Sequence, residues 1–399
     1  MFEKIDKKNL NTWGKILPLT IFTKEIGMVN LGGIQFDIIS YPFFMVAFSI
    51  FLLTGKLSIN KKEAIIFLWI LVASIIVDMV MDFPLVLFFK QYIPIILMYF
   101  AIKYILMSNN PIYIFERYID YAVIAAVIGL VQLMLKPMGI LLLTDYAGFF
   151  VDSVALEPSH YVVMVLSAVF YLYLKKEFSW KFWILLVTVL LTFKLTALLS
   201  IILFFIIINM RQYWKFLIIT IPIVYAGIYF VNTIPEFSDR INAALVYVEG
   251  GNLQDIRNMT TFSFFSNLDI ATNNFINTYG LGVGLGGHET TYLRNFDFHL
   301  VQDSWYGLNY KSAHALTIRI ISELGILGIF IFFMLFYKSM KIKDMDYKAV
   351  ALASLGHFIT KSFKLGSYFD YGTIFFLVMI IVLTRLDKKK RKEKKGSFI

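Results

Sequence analysis

The chain has no cysteine, few histidines and little charge. Without cysteine it can form neither a disulfide framework, nor a thiolate metal site, nor a cysteine nucleophile. Charged residues make up 16% of its 399 residues, whereas a soluble protein usually carries about 25%. Hydrophobic residues account for 59% of the chain, and the mean hydropathy is +0.72. This composition excludes an ordinary soluble domain and indicates a polytopic membrane protein.

Long apolar runs are spaced along the chain as transmembrane helices would be. They lie at about 33–54, 64–81, 84–107, 118–135, 157–174, 179–193, 195–210, 214–232, 312–337, 347–363 and 371–384. Residues 12–32 are ambiguous: a short first span, a re-entrant piece or an interfacial helix. We therefore expect an all-α polytopic protein, one membrane domain over residues 1–399 with about eleven or twelve spans. A large polar segment at 232–311 precedes the last three of them, and no cleavable signal peptide is evident.

The distribution of lysine and arginine predicts the orientation. If the spans alternate, the same side receives Lys56, Lys61, Lys62, Arg117, Lys175, Lys176, Lys181, Arg211, Lys215, Lys338, Lys341, Lys343, Lys348 and the basic tail from Arg385. That side is expected to be the cytoplasm, and it contains the C-terminus. The segment at 232–311 has eight acidic and four basic side chains, which suits an extracytoplasmic loop. Lys4, Lys7 and Lys8 favour twelve spans, with the N-terminus inside.

The net charge of +10 does not indicate a nucleic-acid partner, because the basic residues sit in short loops and the tail. Six polar side chains are instead expected near the outer face: Glu157, His160, Lys194, Arg257, His314 and Arg319. A lysine or arginine at the centre of a span costs about 2.5–3.5 kcal/mol, so such residues usually face a cavity or a partner. Convergence of these six side chains on one site is therefore a reasonable hypothesis.

Each of these residues also has a structural interpretation. Lys194, at the junction of two spans, is either a lysine that reaches the interface or a cation suited to phosphate. Arg257 is either a surface arginine or a ligand for a diphosphate. His314, expected to open a helix, is either structural or an acid, base or hydrogen-bond donor. Arg319 and Glu323 are expected to form an ion pair across one helical turn.

Four alternating glycines, Gly280, Gly282, Gly284 and Gly286, precede His314 in the polar segment, in the sequence GLGVGLGG. The match to a dinucleotide fingerprint is weak, because no βαβ unit surrounds it. The pattern is more typical of a backbone that turns tightly or approaches a ligand closely, where a Cβ would interfere. No acidic cluster has the spacing of a calcium loop, and we expect neither a metal nor a cofactor.

The ordered set of these motifs resembles the O-antigen ligase/Wzy polymerase superfamily. The set comprises Glu157-Pro-Ser-His-Tyr161, the hairpin Thr192-Phe-Lys-Leu-Thr-Ala197, Arg257, Tyr279-Gly-Leu-Gly-Val-Gly284, His314 and Glu323-Leu-Gly-Ile-Leu-Gly328. The motifs cover residues 150–330, and the number of spans and the large late loop extend the resemblance over the whole chain. Within the superfamily a Wzy-type polymerase of capsule, exopolysaccharide or O-antigen repeats is favoured over the ligase.

The resemblance implies a GT-C-type membrane glycosyltransferase whose substrates are glycans linked to undecaprenyl diphosphate. Arg257 and Lys194, the latter where the family usually has arginine, would hold the diphosphate, and His314 would lie near the reacting centre. The acceptor hydroxyl of a new repeat would attack the anomeric carbon of the growing chain, with inversion and without a metal. Glu157 or His314 would orient or deprotonate that hydroxyl. His160, Arg319, Gly282 and Gly284 are expected to support the site.

Two other classes remain open. A transporter, such as a lipid-linked oligosaccharide flippase, would use Lys194, Arg319 and Glu323 along its path and would show broken helices in paired halves. A noncatalytic scaffold of a polysaccharide assembly complex is the second. In the enzyme interpretation the expected partners are the lipid-linked donor and acceptor, membrane lipids, a chain-length regulator and a flippase.

Overall fold

The computed structural model describes residues 10–31, 34–55, 59–140, 143, 150–155, 157–209, 235–296 and 305–396. We number its helices in chain order: α1 (Thr12–Ile16), α2 (Ser40–Leu53), α3 (Lys61–Val80), α4 (Leu85–Ser108), α5 (Pro111–Leu135), α6 (Pro158–Lys175), α7 (Trp180–Leu190), α8 (Leu195–Asn209), α9 (Pro235–Val248), α10 (Met259–Asn277), α11 (Gly287–Asn295), α12 (Leu316–Met340), α13 (Met345–Lys361) and α14 (Thr373–Gly396). The protein is therefore predominantly helical, as the apolar runs predicted.

The first forty residues differ from the prediction. After α1 and a 3₁₀ turn (Leu17–Ile21), an antiparallel hairpin pairs β1 (Met28–Leu31) with β2 (Ile34–Asp37), with Met28 opposite Asp37. The expected span at 33–54 therefore begins only at Ser40, and residues 12–32 form no spanning helix. At the end of β2, the carboxylate of Asp37 accepts hydrogen bonds from the backbone N–H groups of Ile39 and Ser40 at 2.9 and 2.8 Å.

Several helices begin at a polar side chain that satisfies their first N–H groups. Asn60 and Glu63 form a capping box at the start of α3. Asn110 caps α5, Asn258 caps α10 and Asp344 caps α13. These caps lie between apolar runs, so the sequence ends one helix and starts the next without a long connection.

Four described helices are long and apolar enough to cross a membrane: α3, α4, α12, and α5 together with the 3₁₀ turn that follows it. The helices α2, α7 and α8 are apolar but shorter. At 1.5 Å per residue, the 11 residues of α7 cover about 16 Å, roughly half of a hydrocarbon core. The predicted span at 214–232 lies outside the described residues.

The centre of the bundle is formed by α6, α13 and α14, which pack against one another or against a common neighbour. Nearly all of α6 up to Leu172 and all of α13 from Ala349 onward is buried. By contrast, α3 is largely exposed along its apolar sides, as expected of a helix at the periphery that faces lipid. The last helix is longer than predicted, because α14 continues through the basic tail to Gly396.

The predicted polar segment at 232–311 is largely helical where it is described. Its helices α10 and α11 pack against α12, and α9 packs against α10. An aromatic cluster of Phe262, Tyr292, Phe296 and Trp305 fills the space between them. A second layer is polar: the side-chain amide of Asn274 donates to Thr291 and Ser322, both at 2.8 Å. The described part of this segment is thus folded and packs against α12.

Ionic contacts join several of the basic residues to acidic side chains. Lys175 pairs with Asp346 at 2.6 Å and Lys181 with Asp120 at 2.8 Å. The buried carboxylate of Glu63 accepts from Lys103 at 2.6 Å and from Arg385 at 2.5 Å. Of these bases, Lys175, Lys181 and Arg385 were predicted to share one side of the membrane. A separate cluster, around Glu157, is the candidate site.

Candidate functional site

Four segments meet at the N-terminal end of α6, where Glu157 precedes Pro158 and His160 lies in the first turn. The carboxylate of Glu25 contacts His160 Nδ1 at 2.5 Å and also accepts the hydroxyl of Tyr371. That hydroxyl lies 2.9 Å from His160 Nδ1. Nδ1 of His160 is thus held against Glu25 and Tyr371, and Nε2 faces the opposite side of the ring.

The free side of His160 faces a second carboxylate. Its Nε2 lies 3.7 Å from Glu157 Oε2, and the Glu157 side chain is 48% exposed whereas that of Glu25 is 3% exposed. A group bound here could exchange a proton with either side chain. His160 therefore connects a buried carboxylate to an accessible one, and the accessible end can receive a proton from a hydroxyl group.

Positive charge surrounds the accessible carboxylate. Lys364 Nζ lies 3.5 Å from Glu157 Oε2. Burial raises the pKa of Glu157, but the charges of Lys364 and His160 and its hydrogen bonds outweigh that effect and hold the pKa below its usual value. Glu157 is therefore ionised at neutral pH, and it keeps Lys364 at the site.

Lys194 joins this group from the junction between α7 and α8. Its Nζ lies 5.1 Å from the ring centroid of Phe150. Burial, reinforced by the nearby charges of Arg240 and Lys364, lowers its pKa, while Glu157 opposes the shift. Lys194 is thus partly buried beside Phe150, with Arg240, Lys364 and Glu157 within electrostatic range.

His314 does not open a helix, contrary to prediction. It lies before α12 with a φ of +57°, and Ala315 is the N-cap residue. Its Nδ1 lies 2.9 Å from Ser263 Oγ, and burial, followed by the nearby charge of Lys364, lowers its pKa to about 3. His314 is therefore neutral at neutral pH and is held by α10 within electrostatic range of Glu157.

Arg257 makes no contact with this group among the described residues. It is exposed in the loop before α10, and no ion pair or hydrogen bond of its side chain is found among the described residues. Arg257 is two residues before the start of α10 and six before Ser263, which contacts His314. It is accessible to an external anion from that position.

Arg319 and Glu323 form the predicted ion pair, with Arg319 Nε 3.1 Å from Glu323 Oε1. Both side chains are buried, and the guanidinium of Arg319 lies over the ring of Tyr368 at 4.6 Å.

His288 lies nearby and was not predicted from the sequence. Its ring nitrogens contact Ser322 Oγ at 2.8 Å and Asn267 Oδ1 at 3.0 Å. Burial, then the charge of Arg319, lowers the pKa of His288 to about 3.

The alternating glycines approach another backbone closely, where the sequence predicted a tight turn or a close approach to a ligand. Gly280, Gly282, Gly284 and Gly286 all have positive φ, and a Cβ on Gly282 would lie 2.7 Å from the carbonyl of Glu323. Gly284 N–H donates to the Glu323 carbonyl at 3.0 Å, and the N–H of Ile326 donates to the Gly280 carbonyl at 2.8 Å. The glycine loop therefore pairs with α12 where that helix is interrupted at Gly325 (φ 54°, ψ −137°).

The sequence did not identify Glu25, Lys364 or Tyr371 as site residues. A glutamate that interrupts an otherwise apolar run was a usable signal for Glu25. Lys364 and Tyr371 bound a turn that was assigned to the same side as Glu157, but their side-chain directions depend on the packing of α13 against α6. Within the described parts of the chain, no group of three or more His, Asp or Glu side chains is arranged to hold a metal ion.

The fold and the site define a helical protein with four described helices long and apolar enough to cross a membrane, and a polar, cation-rich cluster around a histidine and two carboxylates. The chain matches no protein-family model and no curated protein.

Proposed function

We propose that this protein is a polysaccharide polymerase of the cytoplasmic membrane. It would transfer a growing glycan from undecaprenyl diphosphate to an acceptor hydroxyl of a new lipid-linked repeat, on the extracytoplasmic face. The observation that carries the proposal is the meeting of Glu157, His160, Lys364, Lys194 and His314, which come from four separate segments. Eleven or twelve spans, a GT-C-type arrangement and a cytoplasmic C-terminus belong to the same proposal.

The geometry gives the acid-base residues distinct roles. The acceptor hydroxyl would lie beside Glu157 and His160, and its proton would pass to Nε2 of the neutral imidazole as its oxygen attacks the anomeric carbon. Glu25 and Tyr371 hold the other side of the imidazole, so the resulting imidazolium is stabilised by a buried carboxylate. The bond from the anomeric carbon to the diphosphate breaks, and the diphosphate leaves with the electron pair.

Fixed cations support departure of the diphosphate. Lys194, Lys364 and Arg240 lie within electrostatic range of one another or of Glu157, and Arg257 is exposed to an approaching anion. Charges that are in place before the reaction stabilise a developing anion without the cost of reorganising solvent. His314, neutral and held by Ser263, would act as a hydrogen-bonding group at this position.

A path for the polyprenyl chain is available on the membrane-facing side. An apolar groove of about 370 Å³ is lined by Trp69, Leu281, Leu324, Ile326, Leu327 and Phe330. It runs beside the interruption of α12, between that helix and α3. A purely apolar lining suits an isoprenoid chain that has no polar group to satisfy.

The proposal is tested in cells in which the wild-type protein is replaced by His160→Asn or Glu157→Gln. We expect lipid-linked single repeats to accumulate on the outer leaflet and polymer to be lost, at normal membrane expression. Arg257→Ala and His314→Ala test the other two candidates in the same assay. Lys175→Gln, in an exposed ion pair far from the site, is the matched control and should leave chain length unchanged. Long polymer from both His160→Asn and Glu157→Gln would refute the proposal.

A ligase-like transferase would use the same residues and is distinguished by its acceptor. The second candidate class is a lipid-linked oligosaccharide transporter, which is favoured by the interruption of α12 at Gly325, since transporters bind ions or substrates at broken helices. In that case the variants would trap repeats on the cytoplasmic leaflet, and repeats would not accumulate outside.

A further inference from the structure

We infer that the end of the bundle where α3 begins and α12 ends binds the head group of an anionic phospholipid. Lys62, Lys338 and Lys388 would hold the phosphate of this lipid. Its acyl chains would lie against the apolar side chains that α3 and α12 expose between these lysines and the apolar groove. The inference rests on insertion of these helices in a membrane and not on the proposed polymerase activity, because none of the three lysines belongs to the cluster around Glu157.

Side-chain contacts bring three other segments to the same turn of α14. The carboxylate of Glu63, in the first turn of α3, accepts from Arg385 of α14 at 2.5 Å and from Lys103 of α4 at 2.6 Å. Two residues after Arg385, the carboxylate of Asp387 accepts the backbone N–H of Asp344 at 3.0 Å. Asp344 follows shortly after the end of α12. The start of α3 and the segment after α12 are therefore both fixed to α14.

The acidic side chains at this place already have cationic partners. Glu63 lies between Lys103 and Arg385, so this group keeps an excess of one positive charge. Three further carboxylates each pair with a base of the tail: Asp344 with Lys390, Asp387 with Arg391, and Glu393 with Lys389. These pairs leave no carboxylate to balance an additional lysine.

Three lysines from three helices have no counter-ion here. Lys62, Lys338 and Lys388 form no ion pair among the described residues, and Lys62 and Lys388 are exposed. Both of these lysines, together with Arg385, lie within electrostatic range of Lys338. Like charges that are held close to one another repel, so an external anion stabilises the group. A lysine ammonium binds phosphate as a point charge.

The positions of the lysines on their helices favour a lipid over a soluble anion. Lys62 precedes Trp69 by seven residues and Lys338 follows Leu327 by eleven. At 3.6 residues per turn, each lysine shares a helix face with a side chain that lines the apolar groove. At 1.5 Å per residue, the lysines lie about 10–17 Å from those side chains along the helix axes.

The surface between the lysines and the groove is apolar. Its side chains, all more than half exposed, are Ile65, Leu68, Phe333 and Tyr337. A phospholipid with one net negative charge matches the lysines with its head group and this surface with its acyl chains. A zwitterionic lipid offers no net charge to the lysines, and a soluble phosphate leaves the apolar surface uncovered.

Native mass spectrometry of the purified full chain, in a neutral detergent, tests the inference. Phosphatidylglycerol, with one negative charge, and phosphatidylcholine, with no net charge, are titrated separately. We expect the wild type to bind phosphatidylglycerol at least about tenfold more tightly, and added salt to weaken that binding. The combined substitutions Lys62→Gln, Lys338→Gln and Lys388→Gln should remove the preference.

The combined substitutions Lys15→Gln, Lys90→Gln and Lys176→Gln are the matched control. These exposed lysines lie on α1, on α4 and just after α6, so the control loses the same charge and should keep the preference. Equal losses in the two triple variants would overturn the inference, as would equal binding of both lipids by the wild type. Competition by millimolar glycerol 3-phosphate would also overturn it and assign the lysines to a soluble anion.

Two features of the experiment keep it decisive. The comparison of the two lipids uses the wild-type chain, so it gives a result even if the site variant fails to fold. The readout is lipid binding in the absence of glycan substrates. Failure of the lipid site and failure of the polymerase proposal are therefore distinguishable.

Discussion

Gly282→Ala tests the contact that joins the glycine loop to α12. Gly282 has a φ of +82°, and an added Cβ would lie 2.7 Å from the carbonyl carbon and oxygen of Glu323 and from Gly325 N. A left-handed conformation costs a non-glycine residue about 1–2 kcal/mol. The steric conflict is with backbone atoms, which no side-chain rotation relieves, so it adds about 1–3 kcal/mol. We expect a total destabilisation of about 2–5 kcal/mol.

Gly139→Ala separates the two terms. Gly139 has a φ of +74°, but nothing lies within 4 Å of its Cβ position. That variant should lose only the conformational term of about 1–2 kcal/mol. Denaturant unfolding of both variants and the wild type, in the same detergent, gives the comparison. Equal destabilisation by the two substitutions would refute the close approach of the loop to α12.

Three further predictions follow from the site. Arg319→Met should destabilise the protein by about 3–5 kcal/mol, because it leaves the buried charge of Glu323 unpaired. Arg117→Met, in an exposed pair, should cost less than about 1 kcal/mol. Denaturant unfolding measures both. The pKa of His288 falls from 6.5 to about 3 on folding, so the free energy of unfolding should decrease as pH falls from about 6.5 toward 3. Unfolding measured as a function of pH checks this: His288→Asn should remove about 2 kcal/mol of the loss at pH 5. Lys194→Arg should preserve polymer length and Lys194→Gln should shorten it, since the charge is required at that position; electrophoresis of the polysaccharide decides.

The sequence was sufficient for the helices and for contacts within one element. Helix α3 and the pair of Arg319 and Glu323 follow from apolar length and from spacing of four residues along a helix. A need for glycine at Gly282 was also predicted, because alternating glycines are typical of a backbone that turns tightly or approaches a ligand closely; the group that Gly282 approaches is the backbone of α12. These features depend on neighbouring residues, so local patterns contain the information.

Contacts between distant segments could not be predicted from local sequence patterns. Glu25 and His160 are 135 positions apart, and Tyr371 reaches them only because α13 and the 3₁₀ turn Asp370–Gly372 pack against α6. The hairpin before α2 was missed because apolar content alone does not separate a short strand from a helix start. His314 was placed in a helix because the φ of a residue before an N-cap is set by tertiary contacts, here with Ser263.

The most direct test of the central claim is polymer synthesis by the purified protein in proteoliposomes supplied with lipid-linked repeats. We predict that wild-type protein lengthens the glycan and releases undecaprenyl diphosphate in proportion, and that His160→Asn does neither while still folding and binding the repeat. If the wild-type protein moves repeats between leaflets without lengthening them, or if His160→Asn polymerises at the wild-type rate, the account is contradicted.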